Sequence, residues 1–420
     1  MSVVSAPATA PAAGPAPDRP RRLAGWRRIA VGAAVLIVIM SAIRTVTGAG
    51  DLTSSGTIGA ALGLAVPIGM AGLGGLWSER SGVVNIGLEG MMILGTFGAG
   101  WMGWQHGPWV GMLTAVLFGA VGGLVHAIAT VTFGVDQIVS GVAINILGFG
   151  VAKFLATTLF VGTPGGGSTQ SPQVDPIGTF SLTGDLLKPV EKHGWFLVSD
   201  LAGILGGLTT QVSYVTVLAL LLVAGTYLVL WRTPFGLRLR SCGEDPYAAE
   251  SLGVNVYRYK YIAVVVSGAL AGFGGGFLAI VAASIYREGQ TGGRGYIGLA
   301  AMIFGNWRPG GLLAGAGLFG YTDAMQLRSE DAVHALLLLI CLGLLAIAVW
   351  LAVRRRFVTA AVALVFGGVF GWWYLASDTV PSQATFATPY VTTLLVLALA
   401  SQRLRMPAAD GLVYRRGAGR

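Results

Sequence analysis

Apolar stretches of about 20 residues recur along almost the whole chain, and each is long enough to cross a hydrocarbon core of ~30 Å as a helix. No water enters that core, so backbone amides must be bonded within the protein, and a chain of this pattern folds as a bundle of membrane helices. The stretches run approximately over 29–43, 57–77, 86–104, 109–132, 138–161, 211–231, 261–285, 333–352, 357–376 and 387–401. A further apolar region, 296–326, is interrupted by Asn306-Trp307-Arg308-Pro309, where proline ends a helix. It reads as a broken hairpin, either two short crossings or a re-entrant pair. The expected fold is an all-α polytopic integral membrane protein with ~10–12 transmembrane helices.

Charge supports this class. Only 11% of residues are charged and 54% are hydrophobic, whereas soluble domains carry roughly 25% charged residues. The net charge of +9 does not point to nucleic acid, because the basic residues are spread between the apolar stretches and form no single face. They read as topology signals. With the N-terminus inside and the hairpin counted as two crossings, 19 of the 27 Lys and Arg fall inside. These lie before the first span, at Arg80, in 232–260, at Arg354 to Arg356, and after 402. Arg44, Lys188, Lys192, Arg287, Arg294 and Arg328 fall outside. The expected location is the cell membrane, with both termini in the cytoplasm.

The domain reading follows. Residues 1–28 form a disordered, Pro- and Ala-rich cytoplasmic tail ending in arginines. The leader before 29–43 is too long for a cleaved signal, and no small-x-small site follows, which favours a first span. Residues 29–401 form the membrane domain, with an external loop at 162–210 and a cytoplasmic loop at 232–260. Residues 402–420 form a second cytoplasmic tail. The external loop carries an apolar patch from Trp195 to Leu205 that is too short to span. Cys242 and Cys341 offer no disulfide framework, and His106, His126, His193 and His334 show no metal-ligand spacing. The expectation is therefore no metal and no cofactor.

Three motifs carry information. The first is Ser78-Glu79-Arg80-Ser81-Gly82-Val83-Val84-Asn85-Ile86-Gly87-Leu88-Glu89-Gly90-Met91-Met92. Glu79 and Arg80 fall at the inner membrane edge, where they can pair. Asn85 can cap the following helix, and Glu89 sits in its first turn, where the helix dipole favours a carboxylate. The functional reading is that Asn85 and Glu89, four apart on one helical face, border a polar pathway. Both readings stand.

The second motif runs from Thr233 to Val254. Asp245-Pro246 starts a short helix, Ala248 and Ala249 give it a small surface, and Gly253 ends it. It is either a solvated loop or a docking helix for a cytoplasmic partner, involving Gly243, Glu244, Asp245, Pro246, Ala248, Ala249, Glu250 and Gly253. The third motif is Gly292-Gly293-Arg294-Gly295-Tyr296-Ile297-Gly298-Leu299-Ala300-Ala301-Met302, running on to Asn306-Trp307. A Gly-rich lead into a short helix serves a tight re-entrant turn or a polar-group site, with Gly293, Arg294 and Asn306 as candidates. Ile86-Gly87-Leu88-x-x-Met91 also recurs as Ile297-Gly298-Leu299-x-x-Met302. The two copies enter their helices from opposite sides, as an inverted repeat would.

These segments resemble the permease subunits of ATP-binding-cassette importers in the branched-chain amino acid and simple-sugar permease superfamily, most of all its nucleoside permeases. The resemblance rests on Glu79 to Met92, Thr233 to Arg240, Ser267 to Gly272 and Gly293 to Gly305, and covers about 57–352. It implies a cytoplasmic ATPase, a second, dissimilar permease and an extracytoplasmic substrate-binding lipoprotein, all within membrane lipid. It implies that the 243–253 helix couples to the ATPase. The chain itself has no Gly-Lys dipeptide, hence no phosphate-binding loop, and no Gly-x-Ser-x-Gly elbow, so it reads as a transporter subunit and not an enzyme. One rival is a permease for a simple sugar or another small polar solute. Another is an ion-driven secondary transporter, but only Glu89, Asp136 and Asp323 offer carboxylates near membrane depth.

Overall fold

The computed structural model describes residues 23–326, 330–378, 380–381, 391 and 404–417. The tail through residue 22 and, apart from residue 391, the expected last span 387–401 lie outside the described residues. Fifteen α-helices are seen among the described residues: α1 (Leu23–Thr47), α2 (Ser55–Arg80), α3 (Leu88–His106), α4 (Pro108–Ala127), α5 (Gln137–Leu159), α6 (Lys188–Lys192), α7 (Val198–Thr209), α8 (Tyr214–Arg232), α9 (Pro234–Glu244), α10 (Pro246–Ser251), α11 (Val256–Phe277), α12 (Arg294–Phe304), α13 (Pro309–Gln326), α14 (Glu330–Val353) and α15 (Phe357–Ala376). One π-helical turn extends α4 over Ile128–Thr132 and another extends α11 over Leu278–Ala282.

Local chemistry sets many of these boundaries. Ser54, Asp136, Ser213, Thr233, Asp245 and Asn255 each accept a hydrogen bond from a first-turn amide of α2, α5, α8, α9, α10 and α11. Eight helices among the described residues are long and apolar enough to cross a membrane: α1, α2, α4, α5, α8, α11, α14 and α15. The protein is thus an all-α polytopic membrane protein. α3 runs through the centre of the bundle and is largely buried there. α12 and α13 form the expected hairpin, turning at Asn306 and Trp307, both with φ +52°.

The centre is built from small residues, because two apolar helices gain little by leaving lipid unless their backbones come close. α4 and α11 cross antiparallel at Gly119 and Gly268. A Cβ on either glycine would stand 2.2 Å from the carbonyl oxygen of the other. α2 and α11 also cross antiparallel. A Cβ at Gly74 would stand 2.5 Å from the Ser267 carbonyl, and one at Gly274 would stand 3.0 Å from the Pro67 carbonyl. This reciprocity has the form of a local two-fold. Leu88 and Leu299, equivalent in the sequence repeat, both reach Gly75 from helices running in opposite directions. Large apolar side chains such as Ile146, Phe154, Leu221 and Val365 lie exposed on the outer helices, where a hydrocarbon solvent would meet them.

Two faces result. One carries Arg80, the loop around Gly243, the hairpin tip at Trp307 and the segment 404–417; we call it the basic face. The opposite face carries the 162–210 region, where the part of the apolar patch from Val198 to Leu205 falls in α7. α7 packs on the start of α2 through Gly203 and Gly207. Buried Asp200 ties it down, accepting from Ser41 and Thr53 and pairing with Arg44 at 2.9 Å. On that same face, an open cavity of about 530 Å³ lies between α2, α7 and α8, lined in part by Ser55, Gln211, Ser213, Thr216 and Phe277.

Overpacking of a tight contact costs ~1–3 kcal/mol. Gly268→Ala should therefore lower the thermal stability of the purified protein by about that amount, whereas Gly150→Ala, with nothing within 4 Å of the new methyl, should not lower it. Thermostability read by fluorescence-detected size-exclusion chromatography checks the pair, and equal melting would refute the close-crossing account.

Candidate functional site

α2 ends at Arg80, and Gly82 (φ +83°) turns the chain back into the bundle. Residues 81–87 then climb without helical structure until α3 begins at Leu88. Their depth follows from their neighbours. Asn85 touches Ser267, eleven residues after the start of α11 at Val256, roughly 16 Å along that helix. α12 descends for 11 residues, roughly 16 Å, before its end reaches the basic face. Two helix N-termini, those of α3 and α12, therefore lie about halfway across a ~30 Å core.

Unwound backbone at that depth is tolerated only where protein satisfies it. Here it is satisfied by side chains. The Val84 amide donates to Gln137 Oε1 at 2.6 Å, and the Val84 carbonyl meets His126 Nε2 at 3.0 Å. The Gly87 amide donates to Asn85 Oδ1, and Asn85 Nδ2 donates to Ser267 Oγ at 2.9 Å. Asn145, on α5, donates to the Ile86 carbonyl at 3.0 Å and to the Tyr296 hydroxyl at 2.8 Å, while its Oδ1 accepts from the Gly90 amide at 2.7 Å. Glu89 closes the arrangement. Its two carboxylate oxygens accept from the amides of Gly293, at 3.0 Å, and Gly295, at 2.7 Å, at the start of α12. Position 295 must be glycine, because a Cβ there would stand 2.6 Å from the Glu89 Cα. The carboxylate thus lies against the positive ends of two helix dipoles.

Beside this centre Arg294 pairs with Asp323 of α13 at 2.6 Å, with both side chains largely buried. Arg294 Nε and the nearby Gln290 Nε2 have no hydrogen-bond partner among the described residues. The structure therefore brings together Asn85, Glu89, Gly293 and Arg294 of the expected set. Asn306 is elsewhere, at the hairpin tip on the basic face, accepting from the Arg405 amide at 2.8 Å.

Several local expectations are corrected. Asn85 precedes the helix, so it does not share a helical face with Glu89; the helix begins at Leu88, two residues later than a cap at Asn85 requires. Glu79 and Arg80 do not pair. Glu79 accepts from the Trp307 indole, while Arg80 donates to the Trp307 carbonyl at 2.7 Å. Together they hold a bulky residue in left-handed backbone. His126 is fully buried and satisfied by Ser140 and Val84. Asp136 caps α5 at an exposed position. Three partners were not singled out from sequence: Asn145, Ser267 and Gln137. Asn145 had a signal, as a lone amide inside an apolar run.

On the basic face, Asp245 caps α10 through Tyr247 and Ala248, and Gly253 (φ +81°) ends it. Ala248 is exposed, but Ala249 points inward and packs with Cys242, Val256 and Tyr414. Burial pushes the Cys242 thiol up to about 11, so it stays neutral. Glu244 lies 3.8 Å from Arg80, and Glu250 pairs with Arg416 at 3.4 Å. An open cavity of about 450 Å³ adjoins α10, lined by Phe235, Arg238, Leu252, Asn255, Arg258 and Tyr259, among others.

Removing one partner of a buried ion pair strands the other charge, at a cost of ~3–5 kcal/mol. Asp323→Ala should lower thermal stability by an amount of that order, and Arg294→Met combined with Asp323→Leu should recover most of it. A double variant no better than Asp323→Ala would show that the pair is not the source of the loss.

The chain was compared with known proteins. A family model described as "Branched-chain amino acid transport system / permease component" matches residues 57–345. The chain is 38% identical over 276 residues to the guanosine ABC transporter permease protein NupQ of Bacillus subtilis, spanning 64% of this chain and 81% of that protein. It is 32% identical over 359 residues to the nucleoside ABC transporter permease protein NupC of Lactococcus lactis subsp. cremoris, spanning 83% and 93%. It is 34% identical over 286 residues to the putative glucose ABC transporter permease protein TsgC13 of Haloferax volcanii, spanning 67% and 80%. No solved structure matches the chain. The family match takes in both the segment that unwinds before α3 and the half-crossing α12, so this chain belongs to the permease-component family of branched-chain amino acid transport systems.

Proposed function

We propose that this chain is the membrane-spanning permease subunit of an ATP-driven importer of nucleosides. The observation that carries the reading is its similarity, over most of their lengths, to permeases named for guanosine and nucleosides. A second reading, a simple-sugar permease, draws on the relative named for glucose. Energy comes from a separate cytoplasmic ATPase, solute from an extracytoplasmic binding lipoprotein, and a second, dissimilar permease completes the pathway. The basic face is the cytoplasmic one, since it gathers Arg80, the 232–260 loop and Arg405, Arg415 and Arg416.

In this reading the centre around Asn85, Glu89, Gly293 and Arg294 borders the pathway. Its role is electrostatic and mechanical. Two helix N-termini held by one carboxylate form a joint that can be made or broken, and import needs two alternative exposures of one route. The open donors of Arg294 and Gln290 are suited to hydroxyl and carbonyl groups of a polar solute. α10 serves as the coupling helix. Its exposed surface, Ala248, Ser251 and Leu252, meets a groove of the ATPase, with Arg238 and Arg258 in the adjoining cavity for acidic partners. Glu244, Asp245 and Glu250 take rim positions, where exposed pairs contribute ~0–1 kcal/mol each.

Three measurements test this reading. Cells expressing the system should take up radiolabelled nucleoside, with ribose and branched-chain amino acids competing poorly; equal competition by ribose would favour the sugar reading. Glu89→Gln replaces one of two charge-assisted acceptors with an amide donor, a loss of ~1.5–3 kcal/mol. It should reduce uptake at least roughly tenfold at unchanged membrane abundance, and a parallel fall in abundance would assign Glu89 to assembly alone. Ala248→Trp should abolish uptake and release the ATPase on purification, while Glu250→Gln should have a mild effect. Normal co-purification and uptake with Ala248→Trp would remove α10 from the coupling role.

A further inference from the structure

The segment 404–417 is far from α10 and α11 in sequence yet is built into the basic face. The Ala409 amide donates to the Gly243 carbonyl at 2.9 Å, the Ala408 amide to Glu244 Oε2 at 3.3 Å, and the Arg405 amide to Asn306 Oδ1 at 2.8 Å. Tyr414 is buried between Tyr247 of α10 and Tyr257 of α11, with ring centres 5.3 and 5.4 Å away. Gly411 and Val413 lie against Val84 and Gly134, so the segment also underlies the start of the unwound 81–87 stretch. It therefore touches the hairpin tip, α10 and the base of the central site at once.

At its middle is an unusual group. Asp410 is buried, and neither carboxylate oxygen receives a well-formed hydrogen bond among the described residues. What it meets is a second carboxyl group, Glu79, within bonding reach. Two acceptors facing each other repel, and a proton between them turns the repulsion into a hydrogen bond. The remaining charged groups around Asp410 are Lys260 of α11 and Arg80 of α2, with Arg240 and Arg308 behind Arg80. Lys260 is itself buried and donates to the Gly82 carbonyl at 3.3 Å. The Cys242 thiol nearby stays neutral, and Glu244 is already engaged by Ala408.

We infer that residues 405–416 form a proton-operated latch, held in the seam between α10, α11 and the end of α2 when the buried Asp410 is protonated, and loosened when Asp410 ionises. The placement supplies the consequence: release frees the hairpin tip, α10 and the floor of the 81–87 stretch together. Only this last point rests on the reading of α10 as the coupling helix; the latch itself does not.

The sign follows from linkage. A free aspartate has its ordinary value near ~4. Docked, Asp410 is pushed up to about 7 by burial, against the opposing pulls of the Glu79 bond, Lys260, the Gly411 amide and Arg80. Docking therefore takes up a proton. It is strongest in acid and is lost as pH rises through about 7. Between pH 6 and pH 8.5 the docked-to-free ratio should fall about tenfold.

Spin labels at Ser251→Cys and Arg415→Cys, both exposed, would report docking in the full-length protein in lipid nanodiscs, since native Cys242 and Cys341 are buried. Double electron–electron resonance should show a short, narrow distance component whose population, relative to a broad, longer one, falls about tenfold from pH 6 to pH 8.5. Asp410→Asn, which keeps the shape and cannot ionise, should hold the narrow distance at both values. Should that variant fail to elute like the wild type, Asp410→Ser carries the same expectation. An unchanged wild-type distribution between the two pH values, or a variant that retains the wild-type response, would overturn the latch. Neither ATPase nor uptake enters this measurement, so its failure is distinguishable from failure of the coupling reading.

Discussion

A helix that starts inside a membrane must find acceptors for its first amides, and this requirement organises the centre of the protein. α3 and α12 both start there, and water cannot serve them. Glu89 supplies acceptors to α12 from the first turn of α3, so each helix stabilises the start of the other. The rest of the unwound stretch is closed by amide and hydroxyl side chains from α5 and α11. Once these bonds are fixed, α3 sits against α2, α5 and α11, and the outer helices have a scaffold on which to pack. A buried carboxylate in this position is costly without partners, and here its partners are backbone groups that otherwise carry the same kind of cost.

Much of the architecture was legible because it depends on short-range pattern. Apolar length marked the spans, Asp245-Pro246 and Gly253 marked α10, and Asn306 to Pro309 marked the hairpin turn. What was not legible depends on distant partners. A sequence reader places Asn85 on the α3 helix, since the residues after it favour one, and cannot see that Ser267, 182 positions later, draws it into an extended path. Asn145 is similar: one polar residue in an apolar run advertises a need but not the group that meets it. Glu79 and Arg80 are adjacent and opposite in charge, yet both are taken by Trp307, because a left-handed turn leaves its indole and carbonyl exposed to them. Ala249 looked like surface because no local signal announces that Tyr414 will cover it.

The same contrast separates the tail from the membrane domain. By composition, the final residues read as a basic tail that sets topology. The structure gives them contacts with four separate parts of the fold. Local content is uninformative there because the tyrosine and the aspartate acquire their roles only from what they are buried against.

The reciprocal contact of α4 and α11 has one more implication. With each glycine's carbonyl lying where the other's side chain would be, the two helices mesh like teeth with no clearance. Sliding one along the other by a turn would bring Ala115 or Val264, each four residues from its glycine, into a space that now admits only a hydrogen, so the pair has no gradual route to a different register. It can turn only as one body. α2 and α3 approach α11 just as closely, so the meshed body takes in four helices, and rearrangement falls to the helices packed outside it.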